Sequence, residues 1–283
     1  MTASLEGQVV AITGSARGIG LTVADALHSR GVKVALSDID EVVLKEAAAG
    51  LGIPCYARLD VTDANSFRQF LAKVEADLGT LDALINNAGI MPTGRLLEEQ
   101  DAVTRRVIEI NALGFILGTK LAAELMAPRG SGHIVNIAST MGEAAVPGLA
   151  TYNASKAAAI MFSDAARLEL RRSGVRVSAI LPGAVKTELG AGIKGPRGIR
   201  PIDPEEVANA VVRTLEAGSS RPRVYVPRAF GVLLNGQRLL PRRIAEALNR
   251  AMGAETAVLQ DSDLASRRAY EERVATQSRS PEG

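Results

Sequence analysis

Tryptophan is absent from these 283 residues, aromatic side chains make up 3%, and there is a single cysteine, Cys55. The core must therefore be built from Ala, Val, Leu and Ile. One cysteine excludes an intrachain disulfide and fits a reducing compartment, so a cytoplasmic protein is expected, with Cys55 as filler in a strand. Histidine is almost as scarce: His28 and His133 are too far apart to suggest a metal site, and no metal is expected. No uncharged apolar run reaches about 18 residues, and Met1-Thr-Ala-Ser-Leu-Glu-Gly lacks a basic start followed by an apolar core. Neither a membrane span nor a secretion signal is expected. The net charge of +2 makes no case for a nucleic-acid partner.

What is present is a globular composition, 47% hydrophobic and 23% charged, in an alternating order. Strand-like apolar runs fall at Gln8–Thr13, Lys33–Ser37, Ile53–Leu59, Asp82–Ile85, His133–Ile137, Val175–Ile180 and Arg223–Val226. Helical spacing appears from Ile19 and over about 41–49, 64–78, 98–126, 151–172 and 204–217. This alternation predicts an α/β fold with a doubly wound parallel sheet of about seven strands, and ligands at the strand C-termini. We read one domain: residues 1–227 carry the sheet, and 228–283 form a C-terminal helical extension ending in a polar tail from Thr276.

Three features carry chemistry. Thr13-Gly-Ser-Ala-Arg-Gly-Ile-Gly20 follows the first strand and opens a helix. There Gly14 permits a tight turn, Gly18 lets backbone approach a pyrophosphate, and Gly20 allows close packing, while the helix N-terminus offers N–H groups to the anion. Tyr152 and Lys156 lie four residues apart in a helical pattern, on one face. By itself such a pair is more often packing. An ammonium about 4 Å from a phenol, at an effective dielectric near 20, is nevertheless worth roughly 4 kcal/mol, about three pKa units below the usual tyrosine value near 10. Ser139 stands thirteen residues before the tyrosine, at the end of the fifth strand.

With these motifs in register, together with Asn86-Asn-Ala-Gly89 after the fourth strand, Asn111 in the long fourth helix, and Pro182-Gly183 with Thr187 after the sixth strand, the chain resembles the short-chain dehydrogenase/reductase family over about residues 5–227. The resemblance implies a Rossmann-type fold, a nicotinamide dinucleotide and hydride transfer at a CH–OH carbon. It implies a catalytic set of Asn111, Ser139, Tyr152 and Lys156. Tyr152 is the acid/base, Ser139 a donor to the substrate oxygen, Lys156 the group that lowers the tyrosine pKa and holds the nicotinamide ribose, and Asn111 the holder of a relay water. Cofactor contacts are expected from Gly14, Ser15, Arg17, Gly18, Ile19, Gly20, Asp38, Asp60, Val61, Asn87, Ala88, Gly89, Tyr152, Lys156, Pro182, Gly183, Val185 and Thr187. Asp60 has an alternative reading, as a cap on the helix after it.

Asp38 ends the second strand 18 residues after Gly20, where a carboxylate accepts from ribose hydroxyls and repels a 2′-phosphate, so NAD is favoured. Arg17 keeps NADP as the alternative, and with it a ketoreductase of the 3-oxoacyl carrier-protein type; a non-catalytic dinucleotide-binding relative is the rival from another class. The substrate side is read as apolar, from Met91, Met141, Ala144, Val146, Leu149, Ala184 and Val185, with Glu143 the nearby charge and Leu189–Gly198 as a lid. Substrate contacts are assigned to Ser139, Met141, Glu143, Leu149 and Tyr152, and the expected substrate is a lipophilic alcohol or ketone. The resemblance further implies a homo-oligomer through the fourth and fifth helices. The segment Phe230–Met252 has two open readings: a core-packing helix, or a pocket-bordering patch for an apolar partner or membrane surface.

Overall fold

The computed structural model describes residues 4–193, 200–237, 239–251, 253, 258–259, 267 and 270–273. Seven parallel strands form one sheet: β1 Val9–Thr13, β2 Lys33–Asp38, β3 Cys55–Arg58, β4 Ala83–Asn86, β5 Gly132–Ile137, β6 Val175–Pro182 and β7 Arg223–Val226. Their order across the sheet is β3-β2-β1-β4-β5-β6-β7, so the winding reverses between β1 and β4. Every residue of β1 is buried. Its period-two alternation sends Val10 and Ile12 to one face and Val9 and Ala11 to the other.

On the first face those side chains pack with Val23 and Leu27 of α1 (Gly18–His28), Leu44 of α2 (Glu41–Leu51) and Val211 and Leu215 of α7 (Pro204–Glu216). On the second they meet Phe67, Phe70 and Val74 of α3 (Ala64–Leu78) and Leu121 and Met126 of α5 (Gly114–Met126), with α6 (Ala150–Glu169) alongside. The helix starts are locally encoded. Asp40 accepts from the Val43 N–H at 3.3 Å, Asp63 accepts from the Asn65 N–H at 2.8 Å, and Asp203 with Glu206 forms a capping box ahead of Pro204.

Two boundaries differ from expectation. The third strand is shorter than Ile53–Leu59, because Pro54 has no N–H for the β2 ladder. The fourth helical stretch is not one regular helix: α4 (Asp101–Ile108) and α5 are joined by a π-helical turn over Glu109–Leu113 that pulls the fully buried Asn111 inward. By length and composition the run Asp101–Arg129 is apolar enough to cross a membrane, but 56% of its most apolar window is buried within the fold, as in a core helix.

His133 opens β5 and is buried, its Nε2 2.9 Å from Ser178 Oγ and its Nδ1 unpartnered. Burial, helped by the Arg176 charge, pushes its pKa down to about 3. The unfolded chain therefore takes up a proton below the ordinary histidine value near 6.5 while the fold refuses it. Stability should be full above pH ~6.5 and fall as pH drops toward 3, by up to about 1.4 kcal/mol per pH unit. Urea midpoints at pH 7 and pH 4.5 check this: replacing His133 by Gln should remove part of the acid loss, and an unchanged slope would assign that loss elsewhere.

Candidate active site

At the switch point the C-terminal ends of β1, β2, β4, β5 and β6 open into one cavity of about 880 Å³. The turn after β1 forms its floor. Gly14 and Gly18 have φ of +63° and +54°, and a Cβ on Gly20 would lie 2.3 Å from the Gly14 carbonyl oxygen, so these positions need glycine. Arg17 occupies the N-cap position of α1 without a capping side-chain bond, and the first turn holds no acid. The N-terminus of α1 thus has no side-chain cap, and Gly18 and Ile19 of its first turn line the cavity, an arrangement that suits an anion. Asn87 braces this turn, donating from Nδ2 to the carbonyls of Thr13 (3.0 Å) and Gly14 (2.7 Å), and Thr13 Oγ1 accepts from the N–H groups of Asn87 and Ala88.

Asp38 lies at one end of the cavity. Its carboxylate accepts from the N–H groups of Ala16 (3.2 Å) and Asp40 (3.1 Å). Burial raises its pKa, while those two hydrogen bonds and the Arg17 charge pull the other way. Arg17 also lines the cavity, but its guanidinium is 2.6 Å from Asp40 and 3.8 Å from Glu188. Its charge is largely matched within the protein.

At the other end are Ser139, Tyr152 and Lys156. Lys156 is buried, with Nζ donating to the Ile137 carbonyl at 3.0 Å and lying 4.8 Å over the Phe115 ring. Burial pushes its pKa down to about 7. Burial pushes the Tyr152 phenol up, and the neighbouring Ser139 hydroxyl pulls the other way. This corrects the expectation that a helical lysine by itself acidifies the phenol: Nζ lies 5.9 Å from the Tyr152 ring centre, and desolvation of both groups outweighs their attraction.

The cavity gathers most of the expected contacts, from Gly14, Arg17, Gly18 and Ile19 through Asp38, Asp60, Val61, Asn87, Ala88 and Gly89 to Pro182, Gly183, Val185 and Thr187, with Met141 and Leu149 beside Tyr152. Four expectations change, and the alternative reading of Asp60 as a helix cap falls away. Ser15 is fully buried away from the cavity: its N–H donates to the Ser37 carbonyl, and its Oγ accepts from the Ser37 N–H at 2.9 Å, sewing β1 to β2. Gly20 sits behind the turn rather than on the cavity surface. Asn111 does not line the cavity either; its amide brackets the Ile90 backbone, accepting from N–H and donating to C=O at 2.8 Å each, and Nδ2 also donates to Ser155 Oγ. Ser155 in turn donates to the Tyr152 carbonyl at 2.7 Å, so Asn111 supports the helix that carries Tyr152 and Lys156. Glu143 is no pocket charge. Its side chain is 2% exposed, ion-paired with Arg223 and accepting from the Tyr225 hydroxyl at 3.0 Å, because a buried carboxylate requires such partners. Asp60 lines the cavity and does not cap α3; its Oδ1 accepts from Thr62 N–H and Oγ1, and Asp63 is the cap.

Sequence reasoning missed the wall built by the C-terminal segment. Tyr270 and Arg273 line the cavity, and Val258 packs with Met91, Leu149 and Tyr152. The Tyr270 hydroxyl accepts from the Met91 N–H at 2.8 Å. Arg267, buried, donates to the carbonyls of Met91, Leu189 (2.6 Å) and Ala191 (3.5 Å), and pairs with Glu271. It staples the loop after β4 to the loop after β6. No local motif marks Arg267 or Tyr270, because the backbone groups they hold at the cavity wall lie more than 75 residues away. Of the expected lid, Leu189–Ile193 borders the cavity, and 194–199 lie outside the described residues. Replacing Arg267 by Met should strand these carbonyls, at about 1–3 kcal/mol per buried unpaired group. Its thermal midpoint should fall and kcat/KM for substrate drop, with the dinucleotide Kd little changed; equal loss of dinucleotide binding would deny it a role confined to the substrate side.

No group of His, Cys, Asp and Glu among the described residues has the arrangement of a metal site. The short chain dehydrogenase family model matches residues 8–197. The probable oxidoreductase EphD of Mycobacterium tuberculosis (strain H37Rv) is 34% identical over 261 residues, covering 83% of this chain and 44% of that protein, so the chain spans under half of that relative. LinX of Sphingobium indicum, a 2,5-dichloro-2,5-cyclohexadiene-1,4-diol dehydrogenase, is 36% identical over 197 residues, 68% of this chain and 79% of its own. Human estradiol 17-beta-dehydrogenase 11 is 31% identical over 261 residues, 89% of this chain and 85% of its own. The crystal structure of gox2181 superposes with a TM-score of 0.71 at 24% identity, over 81% of this chain and 97% of that one, a likeness of fold. With the glycine turn, Ser139, Tyr152 and Lys156 arranged around one cavity and the family model matched from β1 through β6, the chain belongs to the short-chain dehydrogenase family.

Proposed function

We propose that this protein is an NAD(H)-dependent oxidoreductase that interconverts a lipophilic secondary alcohol and its ketone, with Tyr152 as acid/base. The observation that carries the reading is the convergence of Ser139, Tyr152 and Lys156 on the cavity that the glycine turn and Asp38 also line. The residues present fit a dinucleotide. The uncapped N-terminus of α1 would hold the pyrophosphate, Asp38 the adenosine ribose, Lys156 the nicotinamide ribose, and Thr187 the carboxamide. When bound, the nicotinamide supplies or accepts the hydride.

The chain's own residues then handle the proton. Ser139 donates a hydrogen bond to the substrate oxygen and stabilises the charge that grows there. Tyr152 takes the alcohol proton as phenolate, or returns it as phenol. Burial disfavours both the phenolate and the ammonium, so the Lys156 charge offsets only part of the cost of ionising Tyr152. NAD rather than NADP is supported by the Asp38 carboxylate at the ribose end and by the ion pair that occupies Arg17. A lipophilic substrate is supported by Met91, Met141, Leu149 and Ile193 on the cavity wall, and by two relatives whose names specify cyclic alcohols. A homo-oligomer belongs to the same reading: Ile108, Leu113, Met161 and Leu168 are 39–65% exposed on the outer helical layer.

The test is a turnover assay with NAD and NADP side by side over a panel of lipophilic and short polar alcohols and ketones. NAD with the lipophilic members should give the higher kcat/KM. A preference for NADP would move the reading to a ketoreductase, and binding without turnover of any member would favour a non-catalytic relative.

A further inference from the structure

The first part of the C-terminal extension leaves several apolar residues in water. In α8 (Arg228–Gln237) the inner face is used: Gly231 and Leu234 are buried, and a Cβ on Gly231 would lie 2.6 Å from the Tyr225 ring of β7. Val232 is 78% exposed, however, and at the connection to α9 (Arg242–Ala251) Leu239 is 87% and Leu240 40% exposed, followed by Ile244 at 54%. None of the described side chains of α9 is buried. The core-packing reading thus holds for one face of α8, while no described side chain of the connection or of α9 is buried.

The charge around these residues is one-sided. Residues 228–251 contain five arginines, Arg228, Arg238, Arg242, Arg243 and Arg250, against one acid, Glu246. Another exposed pair, Leu96 and Leu97 at 70% and 97%, is instead followed by Glu98, Glu99 and Asp101. From this combination of exposed leucines and an arginine-rich sequence we infer that the α8–α9 connection docks on an anionic lipid surface, with Leu239, Leu240 and Ile244 entering the acyl boundary and the exposed Arg243 beside them meeting headgroup phosphates. A second copy of the chain fits this surface less well. A two-fold contact centred here would set each arginine-rich patch against itself. The inference is independent of the reaction assigned to the cavity, and the segment leads onward to Val258, Tyr270 and Arg273 at the cavity wall.

Flotation of the full chain with vesicles tests it. The protein should float with phosphatidylglycerol–phosphatidylcholine vesicles and remain behind with phosphatidylcholine alone, and the bound fraction should fall as salt rises. The double variant Leu239→Ser, Leu240→Ser should weaken association by roughly tenfold or more. Arg242→Gln with Arg243→Gln should remove the preference for anionic vesicles. Both variants should keep the wild-type thermal midpoint, since the altered positions lie outside the sheet and its packed helices. Absence of vesicle binding by the intact protein would overturn the proposal. So would a leucine variant that binds as wild type, or one whose only change is a smaller species in size-exclusion chromatography, which would assign the patch to a second copy.

Discussion

Tyr152→Phe should lose between about a hundredfold and ten-thousandfold in kcat, the range for removing a positioned acid/base, while its Kd for NADH stays within a few-fold of wild type. The ring is 6% exposed and its packing with Met91 and Leu149 does not need the hydroxyl, so the variant should fold. What it loses is the hydroxyl beside Ser139 at the cavity surface. Lys156→Ala should differ in kind. It removes the charge that stabilises a phenolate and the proposed ribose contact, so both kcat and NADH affinity should suffer. Steady-state turnover and NADH fluorescence titration on both variants separate the two roles; near-normal turnover in Tyr152→Phe would sink the assignment of the proton to this residue.

Asp38→Ser should cut kcat/KM with NAD by about a hundredfold, because charge-assisted hydrogen bonds to the ribose are worth roughly 1.5–3 kcal/mol each, and NADP should become usable. The same carboxylate accepts from the Ala16 and Asp40 N–H groups, so part of the loss will come from a loosened turn. Asp40→Ala tests the electrostatic argument without that complication at Asp38. It breaks the 2.6 Å pair with Arg17 and leaves a guanidinium at the same end of the cavity for a 2′-phosphate. The ratio of kcat/KM for NADP to that for NAD should rise in both variants. A wild-type enzyme already faster with NADP would show that Arg17 outweighs Asp38.

The parts legible in the sequence were those carried by short-range chemistry. Parallel strands buried on both faces read as apolar runs such as Val9–Thr13, and a turn that requires positive φ reads as glycine at 14 and 18. What misled was context. Ser15 and Glu143 stand beside motif residues in the chain, yet one is turned into the β1–β2 seam and the other is held by Arg223 and Tyr225, because a polar side chain goes where its hydrogen bonds can be met. Asn111 was marked by its poor fit to a helix interior, but its partner, the backbone of Ile90, is 21 residues away.

By itself, then, the order of apolar runs, glycines and caps determined the α/β class, the seven parallel strands and the switch point at which ligands gather, since each follows from local preference and side-chain periodicity. Tertiary structure alone decided which charges face the cavity, in what direction burial moves the Tyr152 and Lys156 pKa values, and that Arg267 and Tyr270 close the substrate side. Desolvation and long-range hydrogen bonds depend on what the fold brings alongside a residue, and no spacing along the chain records that.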